Sequence, residues 1–458
     1  LMKKEAIIWF NRRSCRVKYV KMSAESLCEV YSDDSVLNNI EIYLKQDISL
    51  KIIEELKKRN INQRITRVRV YGDQDPAVME VLFSLLIDSS VRSLYIESSN
   101  LSQWMEHMKK IGPCLHEVAM QSDTISAQMI TTITVCCPNA ERLRFKSGPD
   151  VLHSNTLLRT IAINCPHIRS LYIRKIYYET NVEAEADLIA FAVKCPQLEE
   201  LSLYCEDLTD QSVIALAKNC IRLKKFKSRC CHITAASLIA LSERGLPLEE
   251  LNIPSIPILN AENVAQCAHA LSRIRHCDTF RSPTNRERLV GVIQYMTGLH
   301  ELYLGSSMDH LLVPYLLQGQ CCADLKIFNI KTLSSITPEQ INELVLGFRQ
   351  LHTLDINKVT TVTDAVLVDV SRNCPYLQKV TLDRSKVTEE GVLALAVHCR
   401  QLRQIEMPFI ACANATIRKL VKRCRRLSEL RVYLKQGEKL LSRWKFSKQD
   451  IKDMRDYA

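Results

Sequence analysis

Glycine and proline are scarce in this chain, 11 and 14 among 458 residues, and no low-complexity stretch divides it. That composition excludes a collagen-like or disordered protein, and 47% hydrophobic with 25% charged residues is the balance of a folded, soluble one. No run approaches the ~20 uncharged apolar residues of a membrane span. The first ten residues, Leu-Met-Lys-Lys-Glu-Ala-Ile-Ile-Trp-Phe, lack the apolar core of a signal peptide, so a cytoplasmic or nuclear location is expected. The phosphate-cradling G-x-x-x-x-G-K-[ST], the zinc-binding H-E-x-x-H and the nucleophile elbow G-x-S-x-G are all missing. No catalytic residue, metal site or cofactor is therefore expected, and the chain reads as a non-catalytic binding module. The excess of 62 basic over 51 acidic residues comes without a nucleic-acid motif, so nucleic acid is not the expected partner.

Cysteine is abundant at 19, but a disulfide framework belongs to short secreted chains with too little core. Placement decides the matter. Cys137, Cys165, Cys195, Cys220, Cys374, Cys399 and Cys424 occupy one point of a repeated phrase, as in Cys195-Pro-Gln-Leu198-Glu-Glu-Leu201-Ser-Leu203 and Cys374-Pro-Tyr-Leu377-Gln-Lys-Val380-Thr-Leu382. They are expected as small buried core residues in a reducing compartment. Cys136-Cys137, Cys230-Cys231-His232 and Cys321-Cys322 have no second pair at zinc spacing and are read the same way. Apolar starts of the phrase fall at Leu37, Ile65, Val91, Leu115, Ala140, Ile168, Leu198, Leu223, Leu248, Ile274, Leu299, Leu325, Leu351, Leu377, Leu402 and Leu427, with a mean spacing of 26 residues.

Each unit opens with L-x-x-L-x-L, whose two-residue alternation is that of a strand burying one face. A turn follows, then a helical pattern such as Thr209-Asp210-Gln-Ser-Val213-Ile214-Ala-Leu216-Ala217-Lys-Asn-Cys220. Its 3–4 spacing puts Val213, Leu216, Ala217 and Cys220 on one side, with Thr209 or Asp210 placed to accept from the first amides. One strand and one helix cannot hide their apolar faces alone, so units must stack. The pattern resembles the cysteine-containing subclass of leucine-rich repeats. It predicts an α/β solenoid of about 16 repeats, a curved horseshoe with parallel strands on the concave side and helices on the convex side. The resemblance covers residues 36–433 and weakens near Ile274-Arg-His-Cys277, so an irregular unit with a loop over the concave side is expected around 254–296. Residues 1–35 are expected as an N-terminal cap or the remnant of a preceding domain, and 434–458, with Leu440, Leu441, Trp444 and Phe446, as a capping helix or tail.

Positions flanking the last two apolar residues of each phrase should face the concave sheet. These are Arg67, Arg69, Tyr71, Tyr95, Arg142, Arg144, Lys146, Tyr172, Arg174, Tyr204, Lys225, Lys227, Arg229 and Tyr303. Arg and Tyr combine contact area with hydrogen bonding and commonly anchor interfaces. A basic, tyrosine-rich inner wall points to an acidic or phosphorylated protein ligand. The plainer alternative is that exposed strand positions of a basic chain simply carry Lys and Arg. The run Arg418-Lys419, Lys422-Arg423, Arg425-Arg426 is similarly either a phosphate-binding or nuclear-import patch or the solvated face of a helix.

Repeats of this type resemble those of the F-box and leucine-rich-repeat family, the substrate receptors of Skp–cullin–F-box ubiquitin ligases. That resemblance implies a protein substrate on the solenoid and a Skp adaptor held by an F-box. No Leu-Pro opening or F-box of full length is evident before residue 36, and the chain begins with Leu, so an F-box is expected upstream if there is one. An F-box-free scaffold or inhibitor of the Amn type is the alternative. A Ran-type GTPase-activating protein is a more distant one, because its repeats are longer and its tail acidic.

Overall fold

The computed structural model describes residues 7–10, 17–23, 40–44, 65–87, 89–148, 152–228, 233–253, 259–278, 292–305, 309–318, 323–331, 335–382, 386–436, 439–446 and 449–452, with single positions between them. Contacts divide the chain into two units, residues 1–232 with 244–247, and residues 233–243 with 248–458.

In the first unit the strands Ile40–Leu44, Ile65–Tyr71, Ser93–Glu97, Glu117–Ser122, Arg142–Ser147, Ser170–Ile173, Glu200–Leu203 and Lys225–Ser228 pair in sequence order, all parallel. In the second unit His276–Asp278, Glu301–Tyr303, Ile327–Asn329, Thr353–Asp355, Lys379–Thr381, Gln404–Ala413 and Glu429–Gln436 do the same. Parallel neighbours need a crossover, and helices such as Ala127–Cys136, Asn181–Lys194 and Asp364–Asn373 provide it. From Val91 to Leu427 each expected start is followed two residues later by a strand, and every one of those starts is buried. This α/β array of parallel strands and helices fits a leucine-rich-repeat solenoid. Leu198, Leu201 and Leu203 are each at most 1% exposed, and burial of each contributes about 2 kcal/mol.

Two sets of contacts hold one repeat to the next. The first is a cysteine ladder. Each of the seven phrase cysteines ends its helix, is fully buried and is a free thiol. Cys165 donates to the carbonyl of Cys137 at 3.3 Å, Cys220 to that of Cys195 at 3.6 Å, and Cys399 to that of Cys374 at 3.5 Å. Burial pushes the thiols of Cys165, Cys195, Cys220, Cys374 and Cys399 up to about 12, which keeps them protonated as donors. The second is a set of carboxylates that reach across repeats. Asp364 accepts from the amide and hydroxyl of Thr388 at 2.8 and 2.7 Å, and Glu389 from the Ala413 amide and Thr416 hydroxyl, both at 2.9 Å. Thr209, one of the two residues expected to cap its helix, has no side-chain cap bond and instead donates to Glu185 of the preceding helix at 2.5 Å. A hydroxyl with a charged acceptor in reach makes the stronger bond there.

Gly112 stands where other repeats have the phrase cysteine. A Cβ built on it would fall inside contact distance of the Cys136 carbonyl oxygen. We expect Gly112→Ala to destabilise the protein by about 2 kcal/mol, because backbone and not a movable side chain must yield. Urea denaturation followed by circular dichroism measures it; a change below a few tenths of a kcal/mol would mean that the two repeats separate freely.

At both ends the sheet pairing turns antiparallel. Ile7–Phe10 pairs with Val17–Ser23, which runs parallel to Ile40–Leu44, and Lys439–Phe446 pairs with Glu429–Gln436. For residues 439–446 this differs from the expected capping helix or tail. The alternation Leu440, Ser442, Trp444, Phe446 has the strand period, and an added strand closes an edge that would otherwise stay open. Near the weak phrase at Ile274 the helix Ala261–Ser272 and the strand His276–Asp278 are regular, and a 3₁₀ turn at Ile293–Tyr295 precedes the next strand. Most of the loop expected there, together with Arg229, Cys230, Cys231, His232, Cys321 and Cys322, lies outside the described residues.

Candidate functional site

Strand register turns the exposed positions of the first unit into rows, ~4.8 Å from strand to strand. One row reads Arg67, Ser93, Glu117, Arg142, Ser170, Glu200, Lys225. The next reads Arg69, Tyr95, Ala119, Arg144, Tyr172, Ser202, Lys227, and a third begins Tyr71, Glu97, Gln121, Lys146. Arg174 and Tyr204 directly follow their strands. All are exposed or half-buried, while the residues between them are core, as in the pattern of Arg142–Ser147.

The rows differ in charge. The first largely neutralises itself: Arg142 pairs with Glu117 at 2.6 Å and Lys225 with Glu200 at 2.8 Å. Arg69 is likewise taken up by Glu41, a carboxylate 4% exposed, at 2.6 Å. The second row is aromatic and cationic. The Arg69 guanidinium lies 5.8 Å from the Tyr95 ring centre and that of Arg144 4.7 Å from Tyr172. Tyr71 and Tyr95 rings are 5.4 Å apart, and Tyr172 meets Tyr204 edge-on at 6.4 Å. Such contacts hold planar groups upright on the sheet and contribute about 1 kcal/mol each. Burial, reinforced by a 2.9 Å bond to Glu97, pushes the Tyr95 hydroxyl up to about 12, so it remains a donor. Burial raises Tyr172 as well.

Positive charge without a carboxylate partner among the described residues gathers at Arg144, Lys146 and Lys175, with Arg174 tied only to the Ser147 carbonyl at 3.0 Å. All of these except Arg144 line a cavity of about 580 Å³ at the C-terminal ends of the strands. Lys146, Tyr172, Arg174, Lys175, Tyr177 and Tyr204 supply its basic and aromatic lining, and Glu206 and Asp207 its acidic side. Its wall includes Ile176–Tyr177, which pairs in parallel with Leu152–His153. The volume lies within the range of cavities that take a small ligand or a comparable portion of a larger one.

The sequence-derived residues thus meet unequally. Arg144, Lys146, Tyr172, Arg174 and Tyr204 come together, and Arg67, Arg69, Tyr71, Tyr95, Arg142, Lys225 and Lys227 flank them on the same rows. Tyr303 lies in the second unit, 5.2 Å from the ring of His276, whose Nδ1 is 3.0 Å from Glu301. Sequence reading placed the repeat start at Leu115 but named no exposed residue on the strand Glu117–Ser122, although Glu117, Val118, Ala119, Met120 already alternates. It also missed Lys175, Glu206 and Asp207, which lie between elements, and Tyr177, in a two-residue strand; none of these carries a periodic signal.

The second unit's exposed rows are mixed. Lys379 and Arg431 converge on Glu406 at 3.2 and 3.6 Å, and burial pushes Asp355 up while Asn329 donates to it at 3.1 Å. Among the described residues no helix is long and apolar enough to cross a membrane.

No known family's sequence profile matches the chain. Among solved structures it is similar to the yeast complex of Rad7 and Elc1, with 13% identity over 85% of this chain and 80% of that one at a TM-score of 0.40. It is similar also to an internalin of Listeria monocytogenes, with 12% identity over 91% and 94% at 0.34. A TLR13 complex with single-stranded RNA has 14% identity over 85% of this chain and 58% of that one at 0.36.

Proposed function

We propose that the chain is a protein-recognition solenoid whose first unit binds an acidic or phosphorylated segment of its ligand between the Arg144–Tyr172–Tyr204 ladder and the cations Lys146, Arg174 and Lys175. The observation that carries this reading is the separation of charge across one sheet: the first row is largely neutralised internally, whereas these cations line a cavity with aromatic walls. A surface that merely solvates the strands would pair its charges evenly. On the resemblance to the F-box family, the ligand is the substrate of a Skp–cullin–F-box ubiquitin ligase, and the solenoid is its recognition part.

Two experiments test the reading in turn. Proteins captured by the wild-type chain are compared with those captured by Arg144→Glu/Lys146→Glu; loss of a defined set of partners is expected, and identical sets would overturn the assignment of the site. The ligase reading is tested with the product of the complete gene, co-expressed with a Skp adaptor. Co-elution supports a receptor, and a folded protein that ignores the adaptor leaves the F-box-free scaffold or inhibitor.

A further inference from the structure

The helix side of the first unit carries a feature that the sheet does not explain. Strand pairing joins Glu117, Arg142, Ser170, Glu200 and Lys225. Counting five residues back from each gives Gly112, Cys137, Cys165, Cys195 and Cys220, so the helix ends are stacked in one register. Two positions before these stand Lys110, Val135, Ile163, Val193 and Lys218, all exposed. The three apolar ones are 62%, 59% and 58% exposed, which is far outside the core. Just after the helix ends Pro138, Pro166 and Pro196 are exposed too, and Ile221, 67% exposed, continues their line.

Repeat chemistry does not require apolar residues there. In the second unit the position two before the helix-ending cysteine holds Arg372, Val397 and Lys422. Three β-branched side chains on consecutive helices, widened by three prolines and closed at each end by a lysine, form one contiguous patch of defined sign.

We propose that this rim of the first unit docks an amphipathic helix of a partner protein, with apolar residues along its middle and acidic residues at both ends. Charge complementarity identifies the occupant: Lys110 and Lys218 bracket the apolar stretch, and each meets a carboxylate of the partner. Spacing agrees. Packed helices lie ~10 Å apart, and a helix rises ~1.5 Å per residue, so apolar residues every seventh position on a crossing helix would meet Val135, Ile163 and Val193 in turn. The acidic ends would then fall about 28 residues apart. This surface lies at the helix ends that precede the strands, whereas the cation-rich cavity lies at the strands' C-terminal ends, so a partner held here leaves the cavity open.

The test is a yeast-displayed library of helix-forming peptides of roughly that length, sorted on the intact chain. Enriched peptides are expected to carry the seven-residue apolar spacing and acidic ends. Their affinity should fall at least tenfold with Ile163→Glu and again with Lys110→Glu/Lys218→Glu, while Arg144→Glu/Lys146→Glu leaves it unchanged. Because the substituted side chains are exposed, thermal melting should be unaltered. Absence of enriched binders, or binders indifferent to Ile163→Glu, overturns the proposal. Binding of phosphatidylserine vesicles that Ile163→Glu abolishes would assign the patch to a membrane surface. Concentration-dependent dimerisation in sedimentation velocity that the same change abolishes would assign it to a second copy. Either result also overturns it.

Discussion

Asp187→Ala is expected to destabilise the protein by about 4 kcal/mol, the largest stability effect of any single change considered. The Asp187 carboxylate is fully buried in the helix Asn181–Lys194 and reaches back to the preceding helix. It accepts from the amides of Leu158 and Arg159, both at 2.9 Å, from the Tyr178 hydroxyl at 2.9 Å, and from Arg159 Nε at 3.4 Å. The helix Leu157–Asn164 needs this, since its own N-cap, Thr156, makes no side-chain bond. Removing the carboxylate strands two amides and a buried hydroxyl, each costing about 1–3 kcal/mol. Burial holds Asp187 above the usual carboxylate range while its donors pull it down, so the neutral isostere should be better tolerated. Asp187→Asn is expected to lose about half as much as Ala. Urea denaturation of the three proteins checks the order, and equal stability of Ala and wild type would show that water replaces the carboxylate.

Tyr172→Ala should weaken binding of the captured partner about a hundredfold, or about 2.7 kcal/mol. Tyr172 lines the cavity and lies between Arg144 and Tyr204 in the ladder, so its ring aligns Arg144 and also presents a surface of its own. The ring matters more than the hydroxyl, and Tyr172→Phe should stay within about threefold of wild type. Calorimetry with the partner that Arg144→Glu/Lys146→Glu loses gives both numbers. A Phe variant as weak as Ala would instead assign the contribution to the hydroxyl, and an Ala variant at wild-type affinity would remove the ladder from the interface.

Much of the molecule was legible beforehand because its repeat is periodic. A strand that hides one face must alternate, and a helix that packs on it must repeat at 3–4 residues, so the phrase at Cys195 or Cys374 specifies its local fold. It also places Arg144, Tyr172 and Tyr204 on the exposed face, since the residues between apolar ones can point nowhere else. The buried cysteines follow from the same spacing, though not their thiol bonds to the preceding repeat. Less was legible where chemistry passes between repeats. Asp187, Asp364 and Glu389 read as ordinary residues of helices, and nothing local to them names the neighbouring helix whose amides and hydroxyls they serve. Charge was misjudged for the same reason: Arg69, Arg142 and Lys225 count as free cations until Glu41, Glu117 and Glu200 are brought beside them from strands ~25 residues away.

By itself, then, the amino-acid order determined the repeating strand and helix, the identity of the core and the residues that face away from it. All of these depend on spacing within one unit. Tertiary structure alone decided which charges cancel, where a cavity opens at the strand ends, and that Val135, Ile163 and Val193 fall side by side. Those outcomes depend on the register between units, and register is a property of stacked backbones that no single repeat encodes.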